Sequence, residues 1–133
     1  MLQFIVTLKT KQFSTRVFKT AWFRKAATKA RISDAVLCAC IEQATRGQID
    51  DLGGGVFKKR LNDNLHRAII LTKSNHVWVY EYLFAKKDRA NIEDDELMQF
   101  RKLSKAYAEL SDKQIAQLID NQHFIEICHD SKD

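Results

Sequence analysis

Lys58-Lys59-Arg60 directly follows Gly53-Gly54-Gly55-Val56-Phe57, and Lys86-Lys87-Asp88-Arg89 directly follows the aromatic run Tyr80-Glu81-Tyr82-Leu83-Phe84-Ala85. In both stretches cationic side chains sit on or just beyond a strand-forming run. Such an arrangement can hold a phosphate backbone while rings lie against bases. Cleaving RNA without a metal requires an activated ribose 2′-hydroxyl, a stabilised pentacoordinate phosphate and a protonated 5′-oxygen. The cations available for those tasks are Lys58, Lys59, Arg60, Arg67, Lys86, Lys87 and Arg89. Lys58 and Arg60 share a strand face by the period of two, whereas Lys59 lies with Phe57 and Leu61. If the first face meets Arg67 across a hairpin, two or three cations converge on one phosphate. Arg60 and Arg67 are then the transition-state stabilisers, and Lys58 or Lys86 moves protons. Like-charge crowding is one route by which a lysine becomes a general base. His66 is a further acid or base near neutral pH. Lys59, Lys87 and Arg89 read as RNA contacts, with Tyr82 and Phe84 supporting the site or stacking a base.

Each of these residues has a plainer reading. A strand-face arginine is usually solvated or salt-bridged, and a histidine beside a turn is usually just exposed. The spacing places Trp78, Tyr80, Tyr82 and Phe84 on one strand face, where they read as core before they read as a base platform. His76, His123 and His129 have no partner at site spacing.

The charge distribution agrees with a polyanionic partner. Residues 1–92 hold 17 Lys+Arg against 7 Asp+Glu, and residues 93–133 hold 5 against 10. A positive body with a negative final segment fits a nucleic acid on the first part, or two halves that attract each other. The 133 residues suit one domain, residues 1–133, with a modest core. No apolar run approaches the roughly 20 residues of a membrane span. Leu2-Gln3-Phe4-Ile5-Val6 is too short for a secretory signal, so no membrane contact and a cytoplasmic location are expected. The three cysteines are odd in number and follow no metal or redox pattern. Cys38 and Cys40 point to different sides of a helix, and Cys128-His129 stands without partners, so plain thiols are expected and no metal or cofactor.

The elements that must position these residues are legible in outline. Residues 1–15 read as an N-terminal extension or an edge strand. Arg16–Lys19 reads as a strand, followed by a helix from Ala21 to Ala30 with Trp22, Ala26 and Lys29/Ala30 at helical spacing. Ser33 is the N-cap of a second helix, stapled by Ile32 and Leu37, that carries Val36, Leu37, Cys40, Ile41 and Ala44 inward and stops near Gly47. Three strands follow the glycine triplet: Val56–Leu61, Leu65–Thr72 and Val77–Ala85. The turn-rich Asn62-Asp63-Asn64 and Lys73-Ser74-Asn75-His76 between them imply an antiparallel meander. The last of the three, apolar on both faces, reads as a central strand. A helix from about Glu93 to Leu110 buries Leu97, Phe100, Leu103/Ser104, Tyr107 and Leu110. Ser111-Asp112-Lys113-Gln114 is a capping box for a short helix, so residues 111–133 form a C-terminal helix and tail. Phe124–Ile127 ends the chain as a strand or a docking tail. The fold class is α+β, an antiparallel meander packed by N-terminal helices and a C-terminal helix.

In that order and spacing the chain resembles the RelE/HigB family of type II toxin–antitoxin toxins, within the RelE/ParE superfamily. The resemblance runs from about Arg16 to Tyr107 and rests on Phe18-Lys19-Thr20-Ala21-Trp22-Phe23, on Asp51–Arg60, and on Tyr82–Leu97, which looks like the family's "GFAKNERDNI" segment. It implies a RelE-like sheet flanked by helices. It also implies a ribosome-linked or free mRNA endonuclease that needs no metal, inhibits translation and is silenced by a cognate antitoxin. One departure stands out: the family's Gly/Lys-rich insertion before a "GGYR" strand start is reduced here to Asn62-Asp63-Asn64-Leu65-His66, though Arg67 is kept. The missing insertion favours a non-cleaving relative that binds RNA, a topoisomerase or only its antitoxin; the convergence of Lys58, Arg60, Arg67 and Lys86 favours the nuclease. A third reading makes Glu93–Glu96 the docking surface of a structural or regulatory partner.

Overall fold

A computed structural model describes residues 15–74 and 76–129. The order is β1 (Arg16–Thr20), α1 (Ala21–Lys29), α2 (Asp34–Thr45), β2 (Asp50–Gly53), β3 (Val56–Leu61), β4 (His66–Lys73), β5 (Val77–Ala85), α3 (Asp94–Ala108), α4 (Asp112–Asp120) and β6 (Phe124–Ile127). The sheet runs β2-β3-β4-β5-β1-β6. The expected meander β3-β4-β5 is its middle, and the α+β class holds. The sheet is nonetheless mixed rather than purely antiparallel, because β1 pairs parallel to β5 and antiparallel to β6. Only a long crossover through α1 and α2 brings β1 beside β5, and no local pattern announces that. Phe124–Ile127 resolves as a strand, and Asp50–Gly53, to which the sequence pattern assigned no element, is a strand as well. The question of residues 1–15 falls, apart from Thr15, outside the described residues.

Helix signals are realised atom by atom. Ser33 Oγ accepts from the Val36 N–H at 3.3 Å, and Ile32 and Leu37 are both buried. The Ser111 capping box closes at 3.1 and 2.9 Å with Gln114. Glu96 accepts from the Glu93 N–H at 2.8 Å to open α3. Two inward stripes differ from expectation. In α1 the buried residues are Phe23 and Ala27, one position along, which leaves Trp22 half exposed. In α2 Leu37, Cys40, Ile41 and Ala44 are buried, but Val36 faces out.

One face of the sheet carries Val17, Leu61, Ala68, Ile70, Trp78 and Tyr80 under α1 and α2. The other carries Val56, Ile69, Leu71 and Phe84 under α3, and Phe18, Val79 and Phe124 under α4. The four β5 aromatics do not share a face. The β4–β5 register slips between Ile69, opposite Tyr82, and Ile70, opposite Tyr80. Glu81 is therefore the extra residue of a bulge, and it reverses the pleat. Trp78 and Tyr80 stay under α2, where the Tyr80 hydroxyl donates to the Leu37 carbonyl at 2.7 Å. Tyr82 and Phe84 turn to the α3 face.

The expectation of plain thiols is also corrected. Cys38 of α2 and Cys128, just past β6, form a disulfide across 90 residues, and Cys40 is buried and free. Nothing in the spacing of 38 and 128 predicts this pair; it arises because α2 packs over the end of the sheet where β6 lies. No helix among the described residues is long and apolar enough to cross a membrane.

Candidate functional site

The meander brings three of the sequence-predicted cations together. In register, Arg60 lies directly opposite Arg67, and Arg67 directly opposite Phe84; one row further, Lys58 faces Ile69, and Ile69 faces Tyr82. Alternation puts Lys58, Arg60 and Arg67 on the face of Val56 and Ile69, the face α3 covers. The α3 helix closes only part of it. Arg101 donates to the Leu52 and Gly53 carbonyls, and Ser104 donates to those of Gly55 and Thr72, both at 3.2 Å. These contacts anchor the helix over the β2–β3 turn, at the opposite end of β3 from Arg60. Gly53, Gly54 and Gly55 all take left-handed φ in that turn. A Cβ at Gly55 would come within 2.3 Å of Ser104 Oγ, so the glycine is what lets α3 approach.

Arg67 is the unusual member. It is only 8% exposed, yet no carboxylate pairs with it among the described residues. Its Nη1 donates to the carbonyls of Asn64 at 3.0 Å and His66 at 3.2 Å. Nε and Nη2 have no protein partner among the described residues. Directly opposed like charges destabilise a strand pair, and the unpartnered Arg67 nitrogens, unlike Trp78 Nε1, still reach solvent although the residue as a whole is buried. An anion between the two guanidiniums would relieve that repulsion. The short turn supplies the anchors: Asn62, Asp63 and Asn64 all adopt left-handed φ, between 54° and 68°. Asn and Asp are the side chains that do this most readily. They take over the conformational role that glycine would have in a longer connection.

The remaining candidates divide. The Lys58 ammonium donates to Asn91 Oδ1 at 3.3 Å, in the loop after β5, and its cross-strand neighbour on β2 is Asp50. Lys86 is exposed at the same end of the sheet, where its backbone N–H donates to the Leu65 carbonyl at 2.9 Å. Lys87 is exposed beside it. Arg89 is already engaged: it forms a bidentate pair with Glu96, reaches the Tyr82 hydroxyl at 3.4 Å, and lies 5.7 Å from the Phe84 ring centre. The bond from Glu96 raises the Arg89 pKa further, and the same bond holds the Glu96 carboxyl below its usual range. Lys59 and His66 lie on the opposite face from Arg60 and Arg67, by the same alternation. His66 Nδ1 is 3.0 Å from Asn62 Nδ2, a contact in which the ring nitrogen is the acceptor. Phe84 is buried, and Tyr82 half-buried. No cluster of His, Cys, Asp and Glu able to hold a metal occurs among the described residues.

Two features escaped sequence reasoning. Asn91 caps the site from the loop, and Trp22 of α1 stacks on Tyr82 with ring centres 5.2 Å apart and planes at 25°. Asn91 is 33 residues from Lys58, and Trp22 is distant in sequence from Tyr82. The only available signal was Trp22 itself, a large apolar residue preceding a buried Phe23.

The chain is thus an α+β protein whose mixed sheet carries a row of cations at one end, Arg60 exposed and Arg67 buried. The family model described as "RelE toxin of RelE / RelB toxin-antitoxin system" matches residues 15–127, and the chain belongs to that toxin family. An antitoxin is the partner that a toxin–antitoxin system implies. No curated protein and no solved structure matches the chain.

Proposed function

We propose that this RelE-family toxin is an endoribonuclease that acts on mRNA in the cytoplasm, free or on the ribosome, inhibits translation, and is neutralised by a cognate antitoxin. The observation that supports this most directly is Arg67, buried, without a carboxylate, and in register with Arg60. Both guanidiniums suit the non-bridging oxygens of one phosphate, where developing negative charge is stabilised best by pre-placed donors. The ribose 2′-oxygen attacks phosphorus, the bond from phosphorus to the 5′-oxygen breaks, and the products are a 2′,3′-cyclic phosphate and a 5′-hydroxyl. Lys58, one row along the same face, and Lys86, just past the end of β5, are the candidates for proton transfer. One takes the 2′ proton and the other returns a proton to the departing 5′-oxygen. The other reading, a fold that binds its target without cutting, draws on the short turn and on the tethering of Arg67 to two carbonyls.

Induced expression, followed by growth curves and mapping of mRNA 5′ ends with and without translation, separates these readings. Growth arrest with new 5′ ends is expected, and Arg60→Gln and Arg67→Gln are each expected to cut cleavage by about 10²-fold or more. Arg60 is exposed, so its variant tests the site independently of folding. Arrest without new 5′ ends would favour the non-cleaving reading, and cleavage that persists without ribosomes would exclude ribosome dependence. Unaltered cleavage in both variants overturns the assignment of the site.

A further inference from the structure

Trp22 is 50% exposed, although one side of its ring is covered by Tyr82. A tryptophan placed only to cap Tyr82 would gain by burying the rest of its ring. Instead it borders an open groove of about 860 Å³ along α1, together with Arg24, Lys25, Lys29 and Gln122. That volume falls within the roughly 300–1,000 Å³ typical of ligand sites. No acidic residue lies in α1, and none of these three cations pairs with a carboxylate among the described residues. Trp22 is linked to the cationic row through packed rings: Tyr82 packs against Phe84 at 5.9 Å, and Phe84 is the cross-strand neighbour of Arg67.

We infer that Trp22 is a base-stacking platform for an unpaired nucleotide of the bound RNA, beyond the one whose phosphate lies at Arg60 and Arg67, with Arg24, Lys25 and Lys29 holding the adjoining backbone. This rests on the RNA reading given above and adds a binding subsite to it. The chemistry is that of single-strand recognition: a ring with one face packed and the other open, bordered by cations spaced along a helix. Charge complementarity selects the occupant. A bordering row of cations without acids favours a polyanion, and the flat aromatic face favours one that carries bases.

The chain has two tryptophans, and the other, Trp78, is only 4% exposed, so emission changes on binding report on Trp22. The full chain is titrated with a single-stranded 2′-O-methyl oligoribonucleotide, which lacks the attacking hydroxyl and so is bound without being cut. Quenching is expected. Trp22→Ala is expected to weaken binding about 5- to 150-fold, the range that stacking of one base provides. Trp22→Phe, which keeps a ring over Tyr82, should retain part of the affinity. Lys25→Gln with Lys29→Gln should lower the salt dependence of binding by roughly 1.4 in log–log slope, about 0.7 per lost contact. If RNA binds through Arg60 and Arg67 but Trp22→Ala binds as tightly and wild type shows no quenching, the platform is wrong and the RNA reading survives. If the wild type binds no RNA, both fall. Quenching by an antitoxin but not by RNA would assign Trp22 to the protein interface and overturn the inference.

Discussion

Breaking the Cys38–Cys128 disulfide is expected to be among the costliest single changes to this fold. The bond closes a loop of 90 residues that holds nearly every strand of the sheet. Loop-closure entropy for a ring of that length amounts to about 4.6 kcal/mol at 25 °C. With an unfolding entropy near 2.1 cal/mol/K per residue, that is a fall in Tm on the order of 15–20 °C. The location adds to the effect, because β6 is an edge strand of four residues whose ladder pairs, among the described strands, with β1 alone. Its one neighbouring ion pair, Arg16 with Glu126 at 2.8 Å, is partly exposed and so contributes little. Calorimetry with and without a reductant, beside a Cys38→Ser/Cys128→Ser variant, measures the shift. Thiol titration in denaturant should find one free thiol before reduction, that of Cys40, and three after it. A Tm change below about 5 °C, with titration showing that the bond had formed and been broken, would refute the argument from chain entropy.

Three further outcomes can be stated briefly. Burial raises the Glu81 pKa, against the lowering effect of the Tyr107 hydroxyl bonded to it at 2.7 Å. A carboxyl shifted upward contributes stability that is present below its unfolded pKa and lost as pH rises through its folded one. Glu81→Gln, which can still accept from Tyr107, should therefore be at least as stable as wild type at pH 7, with the difference shrinking toward pH 4. Urea midpoints at the two pH values check this, and a variant clearly weaker at pH 7 would contradict it. Gly55→Ala combines a left-handed φ of 82° with a contact on Ser104 Oγ, and should cost about 2–3 kcal/mol in denaturant titrations from the backbone penalty and a disturbed hydrogen bond. Tyr80→Phe removes a buried donor to the Leu37 carbonyl and should cost about 0.5–1.5 kcal/mol while leaving RNA cleavage unchanged, since Tyr80 faces α2 and not the site.

Local signals in the chain determined a good deal. Ser33 and Ser111 announced their helices because a cap is chemistry between residues three apart, and the structure closes both caps as expected. The meander and its pleat followed from alternation and short turns. That is why Lys58 and Arg60 could be placed on one face and Lys59 on the other, whereas Arg67 joined the first face only through the strand register. The fourth predicted cation, Lys86, lay beyond the last strand, where alternation stops and only its position at the sheet end is recovered. Arg89 reads in sequence as an available cation; its partner Glu96 is seven residues on, across a loop whose path no periodicity describes.

The opposite lesson comes from residues whose role depends on distant neighbours. One inserted residue, Glu81, reversed the faces of Tyr82 and Phe84, because a period of two carries no tolerance for an added unit. The parallel docking of β1, the Cys38–Cys128 bond and the stacking of Trp22 on Tyr82 all join segments separated by 60 residues or more. The sequence by itself thus determined which side chains are cationic, which segments are helix or strand, and which alternate positions share a face, since all of these are set within one or two turns of chain. Only the tertiary structure decided that Arg67 would be buried with no carboxylate beside it among the described residues, that Arg60 opposite it would stay exposed, and that Trp22 would stack on Tyr82 yet remain half exposed, since burial and closure belong to the packing of whole elements against one another.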